Sequence, residues 1–249
     1  MWHTVPTMLV ALHGFTETDE SWSEVLTPAH IRNYCPLLPG HGWLPCPEQT
    51  SVASAAAQLA NAVPADDGDL LGYSLGGRVA LQVALDHPER IKRLILVSSQ
   101  PGIADEAERQ ARRARDERLA EILEDDGIGT FVAWWERQPV LKPGRKLRRG
   151  AEEAVRSRRL NQDPVGLAAS LRCMGQGIME PLWDRLGELQ MPVLLLAGGR
   201  DESYASAMQR MAEAMPNAQL VIDPTSGHTL HRENPGFVTD HIKRFLAEA

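Results

Sequence analysis

Ser74 stands in Gly72-Tyr73-Ser74-Leu75-Gly76-Gly77, directly after the apolar pair Leu70-Leu71 and at the start of a helical run through Val79, Leu81, Val83 and Ala84. A G-x-S-x-G string alone is common by chance. With a strand before it and a helix after it, it has the setting of a nucleophile elbow. The serine must sit on a strained turn for its hydroxyl to project from the sheet, and a side chain two residues to either side would collide with neighbouring backbone. The helix N-terminus beneath it supplies oriented N–H groups for developing negative charge.

Such a serine needs a base, and the chain has 8 histidines. His228, in Thr225-Ser226-Gly227-His228, follows the last strand candidate, where the third member of a Ser…Asp…His order belongs. Asp201, in Gly198-Gly199-Arg200-Asp201, follows the penultimate one and takes the second place. Glu202 and Asp223 are the alternative carboxylates and His231 the alternative imidazole. A metal or organic cofactor is not expected: His228 and His231 do not form an H-E-x-x-H helix, and no Cys/His spacing suits zinc.

The elements that position these residues are short, continuous apolar runs: Met8 to Leu12, Tyr34 to Leu38, Leu70 to Gly72, Leu94 to Ser98, Val193 to Ala197 and Leu220 to Ile222. Continuous rather than alternating runs are what strands buried on both faces of a parallel sheet look like. Asp163-Pro164 and Asn234-Pro235 each offer an N-cap side chain followed by proline at the first helical position. After Asn234, the residues Val238, Ile242, Phe245 and Leu246 share one helix face. The expected fold is α/β, an α/β-hydrolase fold with a mostly parallel central sheet flanked by helices. In that fold His13-Gly14-Phe15, after the first strand, supplies the second arm of an oxyanion hole, from the N–H groups of Phe15 and Leu75; His13 itself reads as a packing or hydrogen-bonding residue. Only Met1 to Thr7 precede the first strand, so early edge strands are expected to be missing.

Between Ser98 and Pro192 the alternation stops, and roughly 90 residues carry no strand candidate. The expected organisation is a core of residues 1–100 and 190–249 with a helical cap over 101–189. The cap opens on a helix from about Asp105 to Asp126, with Ala107, Ala111, Ala114, Leu119, Ile122 and Leu123 at 3–4 spacing. From Asp105 to Arg159 there are 14 Lys/Arg against 12 Asp/Glu, although the whole chain carries −7. Most of these arginines are expected on a solvated, salt-bridged helical face.

The net charge argues against a nucleic-acid binder, which needs a basic footprint. The 3 cysteines, Cys35, Cys46 and Cys173, are odd in number and scattered, which suits a reducing compartment. The run from Met8 to Leu12 is too short for a signal peptide and lacks a basic n-region, and no stretch approaches the ~18 apolar residues of a membrane span. A cytoplasmic location is the expectation.

Arg78 follows Ser74 by one helical turn, which puts it beside the nucleophile. A guanidinium there is costly unless an anion answers it, either an internal carboxylate or a substrate. At this point the chain resembles the synthases of menaquinone biosynthesis that make 2-succinyl-6-hydroxy-2,4-cyclohexadiene-1-carboxylate (SHCHC). The resemblance runs through Leu12-His13-Gly14-Phe15, Leu38-Pro39-Gly40-His41-Gly42 and Gly72 to Arg78. It continues in the arginine-rich helix after Pro101-Gly102, Phe131-Val132-Ala133-Trp134-Trp135 with Gln138-Pro139-Val140, Arg156-Ser157, and Gly227-His228 with His231-Arg232-Glu233-Asn234-Pro235. It therefore covers nearly the whole chain, and the arginine, tryptophan and His-Arg-Glu-Asn-Pro strings are its narrow part.

The resemblance implies that Arg78, Arg113 and Arg156 bind substrate carboxylates, with Tyr73 and Trp134 lining the pocket. Arg109, Arg112 and Arg115 lie so close that a one-residue gap would move the second choice. It also implies a lyase: His228, oriented by Asp201, activates Ser74, whose oxygen removes a ring proton, and pyruvate is expelled from the enolpyruvyl precursor. The expected partner is a small-molecule tricarboxylate substrate, with no nucleic acid and no membrane, and the protein is expected to be a monomer. Fold and triad equally suit a serine hydrolase, whether esterase, thioesterase or carbon–carbon bond hydrolase, acting on a small anionic substrate. A non-catalytic receptor on the same fold is the third reading.

Overall fold

The computed structural model describes residues 8–64 and 68–248, so Met1 to Thr7 lie outside the described residues. The chain runs through β1 (Leu9–Leu12), α1 (Ser23–Leu26), β2 (Asn33–Tyr34), α2 (Val52–Ala60), β3 (Gly68–Tyr73), α3 (Leu75–Asp86) and β4 (Ile91–Val97). Four helices follow without a strand: α4 (Glu106–Glu121), α5 (Gly127–Trp135), α6 (Ala151–Leu160) and α7 (Pro164–Met174). The sheet resumes with β5 (Val193–Gly198), α8 (Glu202–Ala214), β6 (Ala218–Asp223), α9 (Leu230–Glu233) and α10 (Pro235–Ala247). The six strands pair in parallel, in the order β2-β1-β3-β4-β5-β6.

The four inner strands are as apolar as their sequence suggests because both faces are covered. Val10, Leu12, Leu70, Leu94, Leu96, Leu195 and Ala197 pack with α2, α3 and α8, while Leu9, Ala11, Leu71, Ile95, Val97 and Leu196 pack with α1 and α10. The two outer strands differ. β6 is half exposed, and β2 is two exposed residues. The run from Tyr34 to Leu38 thus leaves the sheet after Tyr34. Leu38 is fully buried all the same, and its N–H donates to His13 Nε2 at 3.0 Å, so a side chain serves the backbone where a strand neighbour was expected.

The predicted caps form: Asp163 accepts from the N–H groups of Val165 and Gly166, and Asn234 from Phe237. Val238, Ile242 and Phe245 are buried beneath α10. The helical stretch between β4 and β5 has its own apolar centre of Leu119, Ala120, Leu123, Phe131, Val132, Leu167, Ala168 and Leu171. Its first helix is rotated from the expected orientation. Ala107, Ala111 and Ala114 face solvent, whereas Asp116, Leu119, Ala120 and Leu123 are buried. Alanines on a charged helix gain little by burial, so the larger side chains one step round decide which face turns inward. This stretch is anchored to the loop between β2 and α2 at Gly40 and Gly166, where a Cβ on Gly40 would lie 2.2 Å from Gly166 O, and by Gly42 N–H donating to Gln162 Oε1 at 2.7 Å.

Candidate active site

The serine elbow is built by β3 and α3. Ser74 has φ 50°, a left-handed value that a non-glycine residue adopts only when its surroundings hold it. Its N–H donates to Val97 O at 3.1 Å, and Ser99 Oγ donates to Ser74 O at 3.0 Å. The flanking glycines are sterically required: a Cβ on Gly72 would lie 2.4 Å from Gly76 O, and one on Gly76 2.5 Å from both Leu12 O and His13 O. α3 can therefore start hard against the sheet with Ser74 on its rim.

Beyond β6 the chain returns His228 to this rim. His228 Nε2 lies 3.1 Å from Ser74 Oγ, and His228 Nδ1 lies 2.7 Å from Asp201 Oδ2 at the head of α8. With Asp201 as acceptor, the imidazole carries its proton on Nδ1 and presents the Nε2 lone pair to the serine hydroxyl. Tyr73 and Tyr204 flank the ring at centroid distances of 5.4 and 4.4 Å. This arrangement can withdraw the serine proton and stabilise the resulting imidazolium.

The alternative residues have other employment. Asp223 accepts from Thr225 N–H at 3.0 Å, Thr225 Oγ1 at 2.8 Å, Ser226 Oγ at 2.7 Å and Asn234 Nδ2 at 2.8 Å. Burial opposes its charge, yet these donors hold its carboxyl well below the usual range. Asp223 thereby fixes the turn that delivers His228. His231 packs under Tyr73, with ring centroids 4.2 Å apart, and lies 3.4 Å from Glu17 Oε2; burial lowers its pKa. Glu202 is exposed and lines the cavity. His13 acts structurally, with Nε2 accepting from Leu38 and Nδ1 donating to Gly14 O at 2.8 Å.

The Asp223 cluster makes a stability prediction. Asp223→Ala strips acceptors from several donors and should cost about 2–4 kcal/mol at pH 7. Because the folded-state pKa is depressed, this contribution is complete above the unfolded value near 4 and fades as pH falls through the lower folded value. Urea unfolding at pH 7 and pH 3 should show the gap between wild type and variant narrowing on acidification.

A cavity of about 520 Å³ opens over Ser74 between the sheet and the helical stretch. Phe15, Tyr73, Ser74, Leu75 and Arg78 line it, bringing together the expected hydroxyl, both oxyanion-hole residues, the tyrosine and one arginine. Arg78 is 6% exposed, and its Nη1 donates to Met174 O at 2.7 Å. No carboxylate lies within ion-pairing distance of it among the described residues. Burial lowers its pKa to about 10, which leaves it cationic at neutral pH.

Three expected residues fall elsewhere. Arg113 is exposed and lines a separate, smaller site with Glu117 and Arg172 instead of the cavity, because one residue on a helix is a turn of about 100°. Its neighbours Arg112 and Arg115 line the cavity instead. Arg156 pairs with Glu136 and is 40% exposed, one turn of α6 short of the cavity, whereas Arg159 reaches it with 8% exposure. Trp134 stacks on Trp135, and Trp135 supplies the lining. The register of Leu119 and Leu123, four apart and buried, was the signal for Arg112 over Arg113.

Glu17, Gln176 and Tyr204 are lining residues outside the quoted motifs, and Arg232, from the His-Arg-Glu-Asn-Pro string, lines the cavity although the resemblance assigns it no role there. Burial works against the Glu17 carboxylate, but Arg232 and His231 beside it hold its pKa well below normal. In all, Arg78, Arg112, Arg115, Lys142, Arg159, Arg200 and Arg232 stand against Glu17, Asp116, Asp201 and Glu202. A cavity with this excess of fixed cations concentrates and orients a polyanion.

In sequence and fold the chain is similar to known proteins. The model of the Alpha/beta hydrolase family matches residues 9–241. A putative 2-succinyl-6-hydroxy-2,4-cyclohexadiene-1-carboxylate synthase from Bacillus subtilis is 35% identical, the match covering 96% of this chain and 89% of that protein. A synthase of the same name from Klebsiella pneumoniae is 32% identical over 96% of this chain and 93% of its own. Among solved structures, MenH from S. aureus superposes with a TM-score of 0.91 at 32% identity, over 98% of this chain and 95% of that one. A thermophilic esterase from Thermogutta terrifontis, malate bound, reaches 0.80 at 24% identity over 97% and 90%, a likeness of fold alone.

Proposed function

Because this chain belongs to the alpha/beta hydrolase family and, within it, to the SHCHC synthases, we propose that it eliminates pyruvate from 2-succinyl-5-enolpyruvyl-6-hydroxy-3-cyclohexene-1-carboxylate. The observation that carries this reading is Arg78, a buried guanidinium one helical turn from Ser74 that has no carboxylate within ion-pairing distance among the described residues. A substrate carboxylate supplies the missing charge. Arg112 and Arg159 give the cavity two further inward-facing cations, which suits a substrate with three carboxylates.

In the proposed reaction His228, held by Asp201, takes the Ser74 proton, and the serine oxygen removes a proton from the substrate ring. The electron pair moves through the ring to form the new double bond, and the carbon–oxygen bond to the enolpyruvyl group breaks. The imidazolium returns its proton to the departing enolate, which leaves as pyruvate, and Ser74 is a hydroxyl again. Phe15 and Leu75 N–H groups and the arginines stabilise the charge that spreads during the step. No acyl-enzyme forms, and no metal or organic cofactor takes part.

In this function the helices of residues 101–189 serve as a cap over the substrate, and the enzyme acts as a cytoplasmic monomer. Among the described residues no helix is long and apolar enough to cross a membrane. Pyruvate release from the enolpyruvyl precursor, measured beside hydrolysis of short p-nitrophenyl esters and acyl-CoA, tests the assignment. Rapid pyruvate release with slow ester turnover is expected. Efficient ester or thioester hydrolysis without pyruvate would replace the lyase with a serine hydrolase.

A further inference from the structure

We propose that Gln176 and Tyr204 form a clasp that positions Arg112 and His228 together, so that the anion site and the proton-transfer site are set by one contact. The proposal rests on the reading of Arg112 as a carboxylate-binding residue.

The contacts start at the C-terminal end of α7. Met174 O receives Arg78, Gly175 ends the helix, and Gln176 follows, 4% exposed, with its side chain turned into the cavity. A Cβ on Gly175 would lie 2.6 Å from Asp116 Oδ2, so glycine lets this turn press against α4. Gln176 Oε1 accepts from Arg112 Nη1, and Gln176 Nε2 donates to Tyr204 Oη at 2.6 Å. The amide has only one workable orientation, because arginine can only donate; Oε1 must face Arg112 and the NH2 group must face the tyrosine. Tyr204 Oη is thereby an acceptor, and its own proton is left for an acceptor in the cavity.

The other end of the clasp is the triad. The Tyr204 ring stands edge-on to the His228 ring, and its backbone N–H donates to Asp201 Oδ1 at 3.4 Å. Asp201 Oδ2 is the atom that holds His228. Arg112 is fixed from its other side by Asp116 Oδ1 at 2.8 Å. One chain of contacts therefore runs from Asp116 through Arg112, Gln176 and Tyr204 to His228, crossing from the helical stretch to the sheet. With the clasp intact Arg112 faces the substrate without having to be ordered when it binds, which lowers the cost of binding.

Tyr204→Phe keeps the ring beside His228 and removes only the hydroxyl. It should raise KM for the enolpyruvyl precursor about 5- to 10-fold, the size of one neutral hydrogen bond, and lower kcat about 2- to 3-fold, because the ring stays beside His228 but loses the contact that holds it there. Gln176→Ala should act the same way, and the double variant should be no worse than either single one, because both break the same chain. KM for a neutral p-nitrophenyl ester should rise far less than KM for the enolpyruvyl precursor. Citrate affinity by calorimetry, which needs no turnover, should weaken by the same factor. Unchanged KM and citrate affinity in both variants, or fully additive effects in the double variant, would overturn the clasp. A wild-type protein that binds citrate but releases no pyruvate overturns the lyase reading alone; one that takes up neither anion overturns the clasp as well.

Discussion

Ser74→Ala should lower kcat for pyruvate release by about 10²- to 10⁴-fold, the range that positioned proton transfer contributes, while the thermal midpoint stays within a few degrees of wild type. The hydroxyl donates to His228 at the cavity rim and supports no core packing, so its loss removes chemistry and little else. The strained backbone at φ 50° is common to both proteins, since alanine has the same Cβ as serine. His228→Ala and Asp201→Asn should fall in the same direction, and combined with Ser74→Ala they should add little, because the three act as a unit. Quenched mass spectra during wild-type turnover should show no substrate-derived adduct on Ser74. An adduct, or full pyruvate release by Ser74→Ala, defeats the mechanism.

Arg78→Ala should cost about 2–4 kcal/mol of transition-state stabilisation, or roughly 30- to 1000-fold in kcat/KM for the trianionic substrate. Turnover of a neutral ester should change far less. Arg78→Lys should recover only part of the loss, because an ammonium cannot reproduce the planar fork that holds a carboxylate through two bonds. The positions that the structure turns outward provide the contrast: Arg113→Ala and Arg156→Ala should each change kcat/KM by no more than about 2-fold, since exposed, screened charges contribute little. If Arg78→Ala lowers the thermal midpoint while activity per folded molecule is untouched, the guanidinium is a structural strut to Met174 and the carboxylate assignment fails.

The elbow was legible because local chemistry over-determines it: Gly72 and Gly76 sit where a Cβ would meet backbone, and a serine between strand and helix has few other uses. Asp201 and His228 were legible from their places after two strands. The arginines were harder, because helix geometry turns a one-residue uncertainty into a different face. The string around Arg109 to Arg115 holds four arginines, and only burial of Leu119 and Leu123 tells which of them look inward. The run from Cys35 to Leu38 misled for another reason. Apolar content reports burial, and Leu38 is buried, but it does not report whether a strand or an imidazole receives the N–H. Gln176 and Tyr204 carried no local signature because their pairing spans 28 positions and two parts of the fold.

The triad is assembled from the ends of β3, β5 and β6, with Ser74 and His228 separated by 154 positions. A chain that has formed only its first four strands and α3 therefore has a strained serine but nothing to ionise it. Loosening that preserves helices and strands yet lets the far side of the sheet drift removes the base before it removes the elbow. Loss of turnover on gentle heating should therefore precede any change in far-ultraviolet circular dichroism.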